Sequence, residues 1–248
     1  DTDSVSGVNG ASGATGVVNV LDGDTLNGAP VTLSSTTLSV ATPATPATPG
    51  APVPVLNPAT GLVDVPAGTP AGTYSITYQL CETLNPTNCV TSTVSVTVAA
   101  SPLVATADSV AAINGLTGAT AVVNAFTADT VNGVAASPTN ATLSVAPGAV
   151  PAGLTFDPAT GNVDVAAGTP AGTYSFTYTI CETLNPTSCA TATITVTVIA
   201  ATIAADTDSV SGVNGASGAT GVAKVLDADT LNAAPVTPSS TTLADATP

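Results

Sequence analysis

GTYSFTYTICETLNPTSCATATITVTVI (172–199) decides the fold. Two runs of alternating residues flank a short loop with a proline near its middle. Alternation of this kind is the period of a half-buried strand. In the first run Tyr174, Phe176, Tyr178 and Ile180 share one face, and Thr173, Ser175, Thr177, Thr179 and Cys181 share the other. In the second run Ala190, Ala192, Ile194, Val196 and Val198 lie opposite Cys189, Thr191, Thr193, Thr195 and Thr197. The pattern predicts one antiparallel hairpin with an apolar inner face and both cysteines on its threonine-rich outer face. Such an apolar stripe is ordinary core. The same arrangement stands earlier in the chain, with Tyr74, Ile76, Tyr78 and Leu80 inward and Cys81 outward.

That recurrence extends to the whole sequence. LNPATGLVDVPAGTPAGTYSITYQLCETLNPTNC (56–89) returns as FDPATGNVDVAAGTPAGTYSFTYTICETLNPTSC (156–189). DTDSVSGVNGASGATGVVNVLDGDTLNGAPVT (1–32) returns as DTDSVSGVNGASGATGVAKVLDADTLNAAPVT (206–237), with a diverged copy at 107–137. The unit is therefore about 100 residues, giving repeats over 1–100 and 101–200 and the first half of a third over 201–248. The first copy carries a surplus around ATPATPATPG (41–50). In the second copy DSVAAI, AVVNAF, ATLSVA, LTF, NVDVA, TYSFTYTIC and CATATITVTVI read as strands, punctuated by turns. DPATG (157–161) suits a hairpin built on a type I turn with a left-handed glycine. No segment has a helical period. Seven short strands per unit predict an all-β fold of tandem immunoglobulin-like β-sandwiches, with the third copy incomplete.

Composition narrows the function. The chain has 248 residues, 44% of them hydrophobic and 7% charged, with a formal net charge of −15. Lys224 is its one basic residue, and it has no His, Met or Trp. Without a Lys/Arg footprint, nucleic acid and anionic membrane surfaces are poor partners. The most apolar stretch, ITVTVIAATIAA (194–205), is short and threonine-broken and reads as a strand and linker rather than a membrane span. The sequence opens without Met or a signal-like stretch, so it is expected to be a segment or processed product of a longer chain. Catalysis is nearly disarmed: there is no His for acid–base work and no Arg for an oxyanion or phosphate. Glu82 and Glu182, the carboxylates nearest the cysteines, are expected in an exposed loop. The chain reads as no enzyme.

The cysteines occur as two C-x7-C pairs. A zinc site ordinarily takes four ligands; here each pair stands alone and histidine is absent, although two units could share a metal. A redox motif would more often be C-x-x-C near a βαβ unit. Two outward cysteines at the mouth of one hairpin loop can meet across the strands, so Cys81–Cys89 and Cys181–Cys189 are read as disulfides. Closing so short a loop is worth about 2–3 kcal/mol in the chain-entropy model. Disulfides place the chain outside the cytosol, extracellular or at a cell surface.

GLTFDPATGNVDVAAGTPAGTYSFTYTI (153–180) and VLDGDTLNGAPVT (20–32) resemble the repeat units of bacterial immunoglobulin-like and cadherin-like surface proteins, over nearly the whole chain. The resemblance implies an extracellular stalk, spacer or fibre-forming module. It also implies calcium near the repeat junctions, with Asp1, Asp3, Asp22 and Asp24 as candidates alongside Asp206, Asp208, Asp227 and Asp229. An Asp-x-Asp pair can offer two carboxylates to a hard cation; the other reading of these aspartates is solvated acidic loop residues and turn formers, with no cofactor. The middle copy keeps only Asp108 and Asp129 of that set, with Thr106 and Thr127 at the other two positions. The lysine–asparagine cross-link used by some surface fibres has no lysine in copies one and two. Asn140-Ala141-Thr142 is a lone glycosylation sequon, and TPATPATP (42–49) resembles an O-glycosylatable, polyproline-like segment, or reads as a stiff solvent-exposed loop.

Two functions follow. The first is a structural module of an extracellular bacterial surface filament or adhesin stalk, supplying length, stiffness and resistance. Its partners would be copies of itself, head to tail, with a ligand on a host or neighbouring cell beyond them. The alternative is an adhesive module that binds a receptor or glycan, for which the sequence offers no tryptophan and few of the residues usual at hot spots.

Overall fold

The computed structural model describes residues 2–244, and every helix-or-strand element within them is a strand. The first repeat holds β1 (Asp3–Asn9), β2 (Ala14–Asn19), β3 (Thr25–Leu26), β4 (Ala29–Pro30), β5 (Thr36–Thr42), β6 (Val55–Leu56), β7 (Leu62–Val65), β8 (Gly72–Glu82) and β9 (Cys89–Ala99). The second holds β10 (Leu103–Val104), β11 (Asp108–Asn114), β12 (Ala119–Asn124), β13 (Thr130–Val131), β14 (Val134–Ala135), β15 (Ala141–Ser144), β16 (Leu154–Phe156), β17 (Asn162–Val165), β18 (Gly172–Glu182) and β19 (Cys189–Ile199). Beyond it lie β20 (Ile203–Ala204), β21 (Thr230–Leu231) and β22 (Ala234–Pro235).

The long hairpin organises each unit. β18 and β19 pair antiparallel from Gly172↔Val198 to Cys181↔Cys189, and β8 and β9 pair in the same register. β1 joins β9 in parallel and β5 joins β8, giving the order β1-β9-β8-β5, and β2-β7-β6 forms the opposing sheet. The second repeat copies this as β11-β19-β18-β15 over β12-β17-β16. The chain is thus all-β, in tandem β-sandwiches.

Alternation puts the apolar rows between the sheets. Ile76, Tyr78, Val94 and Val96 from one sheet meet Leu56, Val63 and Val65 from the other. In the second core Phe176, Tyr178, Ile180, Ile194 and Val196 meet Leu154, Val163 and Val165. Each large aliphatic side chain fully buried this way contributes about 1.5–3 kcal/mol. The seven strands expected from the second copy all form, and the DPATG turn closes β16 onto β17 with Gly161 at φ +78°. The two-residue strands β10, β13 and β14 are too short for any alternation to announce them.

The third copy departs from expectation. Residues 205–229 contain no strand, although 208–214 have the same sequence as β1. β1 exists because it pairs on β9, and β2 because it pairs on β7. The described part of the third copy has no counterpart of either partner strand, and the backbone bonds within residues 205–229 are local turns such as Gly218 to Asn214 and Asp227 to Lys224.

Candidate functional site: the junction between repeats

The two ends of the long hairpin carry different chemistry, and adjacent repeats meet there. At the trailing end, where β8 begins and β1 and β9 finish, Gly10 receives the amides of Gly68 and Thr69 on its carbonyl at 2.9 and 3.1 Å. A side chain at Gly10 would collide with the carbonyl of Thr69, so only glycine allows this approach. The Tyr74 hydroxyl donates to the Pro70 carbonyl at 2.8 Å and fixes the next residue, Ala71. The leading end of the next repeat carries the disulfide loop.

A relay of hydrogen bonds crosses between them. The Ala71 amide donates to Asn185 Oδ1 at 2.6 Å, and Asn185 Nδ2 donates to Glu182 Oε2 at 2.8 Å. Glu182 then accepts the Ser101 amide at 3.2 Å and the Ser101 hydroxyl at 2.7 Å. The relay runs from the first repeat, through the loop of the second, to the linker that joins them. A second contact lies beside it. Asn9 Nδ2 donates to Asn132 Oδ1 at 2.8 Å, and Asn132 Nδ2 donates to Ser12 Oγ at 3.0 Å. The pair recurs one repeat later, where Asn114 Nδ2 donates to Asn232 Oδ1 at 2.9 Å.

Glu182 corrects the sequence reading that put it in an exposed loop: it is 2% exposed, and Ser101 and Asn185 are buried with it. A buried carboxylate is tolerated when hydrogen bonds satisfy its oxygens, and here three donors do so. No sequence signal marked Glu182 apart from Glu82, because the difference comes from the linker laid against it. The linker is held as a strand, β10 on β13, with the Asn132 amide donating to the Pro102 carbonyl at 2.8 Å.

The disulfides close at the base of these loops. Cys81–Cys89 and Cys181–Cys189 face one another directly in register, with Cα–Cα distances of 4.1 Å in both repeats.

The aspartates lie elsewhere than in a metal cage. Tyr178, fully buried, donates from a hydroxyl that has Asp129 Oδ2 at 2.8 Å, the Thr106 carbonyl at 3.1 Å and Asp108 Oδ2 at 3.3 Å. Asp129 also accepts the Thr106 amide at 2.6 Å. Burial pushes the Asp108 carboxyl up to about 6 against the Tyr178 hydroxyl, and burial raises Asp129 as well, against the Thr106 amide and the Tyr178 hydroxyl, which favour its charged form. Burial, with the neighbouring aspartates, raises the Tyr178 phenol as well. In the first repeat Tyr78 donates to Asp3 Oδ2 at 3.0 Å or to the Val20 carbonyl at 3.1 Å, and burial likewise raises Asp3. Asp24 is half-buried, while Asp22, Asp206, Asp208 and Asp227 are exposed. Asp229 accepts the Asp206 amide at 2.7 Å. Asp1 lies outside the described residues.

Among the described residues no group of three or more Asp, Glu, His or Cys is arranged to hold a metal ion. Calcium takes six to eight oxygens, and at Asp108 and Asp129 one oxygen of each carboxylate already lies on the Tyr178 hydroxyl. These residues fit a tyrosine-anchored pair better than a calcium site. Asn140 is half-buried, with Oδ1 accepting the Ser137 amide at 2.8 Å and Nδ2, the atom a glycan would occupy, donating to the Ala135 carbonyl at 3.1 Å.

No protein-family model and no curated protein matches the chain. Among solved structures it is similar to the extracellular cadherin domains 3–6 of protocadherin gamma B2, at 12% identity over 80% of this chain and 50% of that one, with a TM-score of 0.33. It is similar to the human desmocollin-1 ectodomain at 14% identity over 80% of this chain and 40% of that one, also with a TM-score of 0.33. A similarity to an endo-fucoidan hydrolase of glycoside hydrolase family 107 covers 67% of this chain and 24% of that enzyme, at 17% identity and a TM-score of 0.29. The chain spans half or less of the length of these three. Likenesses of this degree, reaching adhesion domains and an enzyme alike, say nothing of function, and the fold stands on its own strand order.

Proposed function

We propose that the chain is a structural repeat module of an extracellular bacterial surface filament or adhesin stalk, without catalysis. The observation that carries the reading is the relay from Ala71 through Asn185 and Glu182 to Ser101. It joins opposite ends of two long hairpins, so successive sandwiches stack along their strands. A strand of about ten residues advances the chain by roughly 35 Å, and a bonded junction passes that length on without a loose hinge. Disulfides at the loop base suit an oxidising exterior. With one lysine and no arginine, the chain offers trypsin almost nothing.

Small-angle X-ray scattering of the monomeric chain tests the reading. A stalk module gives an elongated particle whose cross-section is that of one sandwich. A compact particle, with repeats folded side by side, would contradict it.

A further inference from the structure

The chain has a formal net charge of −15, yet the outer face of its β11-β19-β18-β15 sheet carries no ionisable side chain. Strand parity turns the odd-numbered residues 173–179 of β18 and 191–197 of β19 outward, and every one is serine or threonine. Ser109 on β11 and Thr142 and Ser144 on β15 extend the face to its two edges. The first repeat repeats the pattern, with Gln79 as the one departure on β8 and β9 besides the cystine. Among the described residues the acidic side chains lie in loops, at strand ends or turned inward, and on the smaller sheets. There Asp64 and Asp164 accept the Gly16 and Ala121 amides. Threonine suits a strand, but sheets left to water commonly protect themselves with charged side chains, and this face has none.

A hydroxyl both donates and accepts, so a face of hydroxyls is complementary to a copy of itself. A carboxylate face only accepts, and it repels its copy. In the first repeat such hydroxyls already meet across the strands, Thr73 with Thr97 at 3.2 Å and Thr77 with Thr93 at 3.4 Å. The accepting hydroxyl of each pair keeps a proton to donate elsewhere. Rows about 4.8 Å apart, with outward residues about 6.7 Å apart along each strand, have the same spacing in two copies and can interleave. Sheets of like twist pack face to face with their strands about 30° apart. The strands of the second repeat present roughly 500 Å² on this side. Two such faces cover roughly 1,000 Å², the lower limit of a specific interface. Over the rest of its surface a chain this acidic repels its copies, which leaves the uncharged face as the place of closest approach.

We propose that two copies of the chain pair side by side, the outer face of β11-β19-β18-β15 on one packing against the same face of the other about a two-fold axis. Thr177 and Thr193, opposite one another midway along the hairpin, stand at the centre. Their methyl groups leave water, and their hydroxyls exchange water for the hydroxyls of the other copy. In a stalk this contact binds neighbouring modules laterally. It takes its purpose from the stalk reading and its chemistry from the face alone.

Sedimentation velocity of the oxidised chain over a wide concentration range, at low and high salt, is the test. The expected result is a monomer–dimer equilibrium that strengthens with salt, because salt screens the repulsion between the acidic surfaces. Thr177→Asp sets two carboxylates against each other near the axis and weakens pairing at least about tenfold. Mixing Thr177→Asp with Thr177→Lys restores pairs, a rescue that misfolded chains would not give. Thr77→Asp, the same change in the first repeat, leaves pairing as it was. Monomers at every concentration and salt, or dimers that Thr177→Asp leaves intact, would overturn the proposal. So would a monomer retained on an insoluble polysaccharide unless Thr177 is replaced, which would give the face to a glycan. A monomer that is still elongated by scattering removes the pairing and leaves the stalk reading standing; a compact monomer removes the stalk reading instead.

Discussion

The loops at 81–89 and 181–189 differ in sequence only at Asn88 and Ser188, yet one is exposed and the other forms a joint. Asn85 lies on the surface, whereas Asn185 is 7% exposed and bonds to the repeat before it. Both glutamates keep an asparagine partner from the same loop, so the loop's internal architecture is fixed in advance. What differs is the neighbour: Glu182 has a linker to hold and Glu82 has none among the described residues. The loop is a preformed part whose role is set by what is brought against it.

The largest break in this comparison is removal of the staple. Replacing both Cys181 and Cys189 by alanine should destabilise the second repeat by about 2–3 kcal/mol. It should also free the Ala71 amide to exchange with solvent, although Ala71 belongs to the first repeat. The same change at Cys81 and Cys89 should destabilise the first repeat equally and leave Ala71 protected, as amide hydrogen exchange on both variants can check.

Next comes Glu182→Ala, which leaves the Ser101 groups and Asn185 buried with unmade bonds and should cost about 1–3 kcal/mol in denaturant unfolding. Glu82→Ala should stay within about 0.5 kcal/mol of the parent, as surface substitutions do. Equal losses at the two sites would mean that the linker contact contributes nothing. A smaller effect is expected of Asn185→Ala, about 0.5–1.5 kcal/mol, against none for Asn85→Ala in the dilute monomer.

The smallest effect concerns acid. Asp108 is held at about 6, against an ordinary 3.8, so the folded chain binds its proton more tightly than the unfolded chain. Between about pH 4 and pH 6 folding therefore takes up protons, and stability falls as the pH rises through that window. Asp108→Asn should raise the melting temperature of the second repeat slightly at pH 7 and flatten its slope between those values. A variant that keeps the parent's slope would show that another group titrates there.

Much of the fold was legible because alternation reports burial directly: Tyr178, Ile180, Ile194 and Val196 are each fully buried, as their parity required. Residues 3–9 and 208–214 show where legibility stops. Both read DSVSGVN, but the first is a strand with Val8 at 9% exposure, and the second has no regular structure and Val213 at 45%. A strand depends on a partner that local sequence does not contain. The junction was hidden for the same reason. Asn9, Asn132 and Ala71 carry no chemical signature, and they matter only because two ends of a hairpin bring them together. The bonds of Asp108 and Asp129 to Tyr178 were hidden likewise, since the tyrosine that gathers these two aspartates is distant in sequence.

The claim that these repeats meet in one fixed geometry is tested most directly by residual dipolar couplings on the oxidised chain. A junction held by Asn185, Glu182 and the Asn9–Asn132 pair predicts that couplings from β1–β9 and from β11–β19 fit a single alignment tensor. Two tensors of different magnitude would mean that the repeats swing independently, and the account of the junction would be wrong.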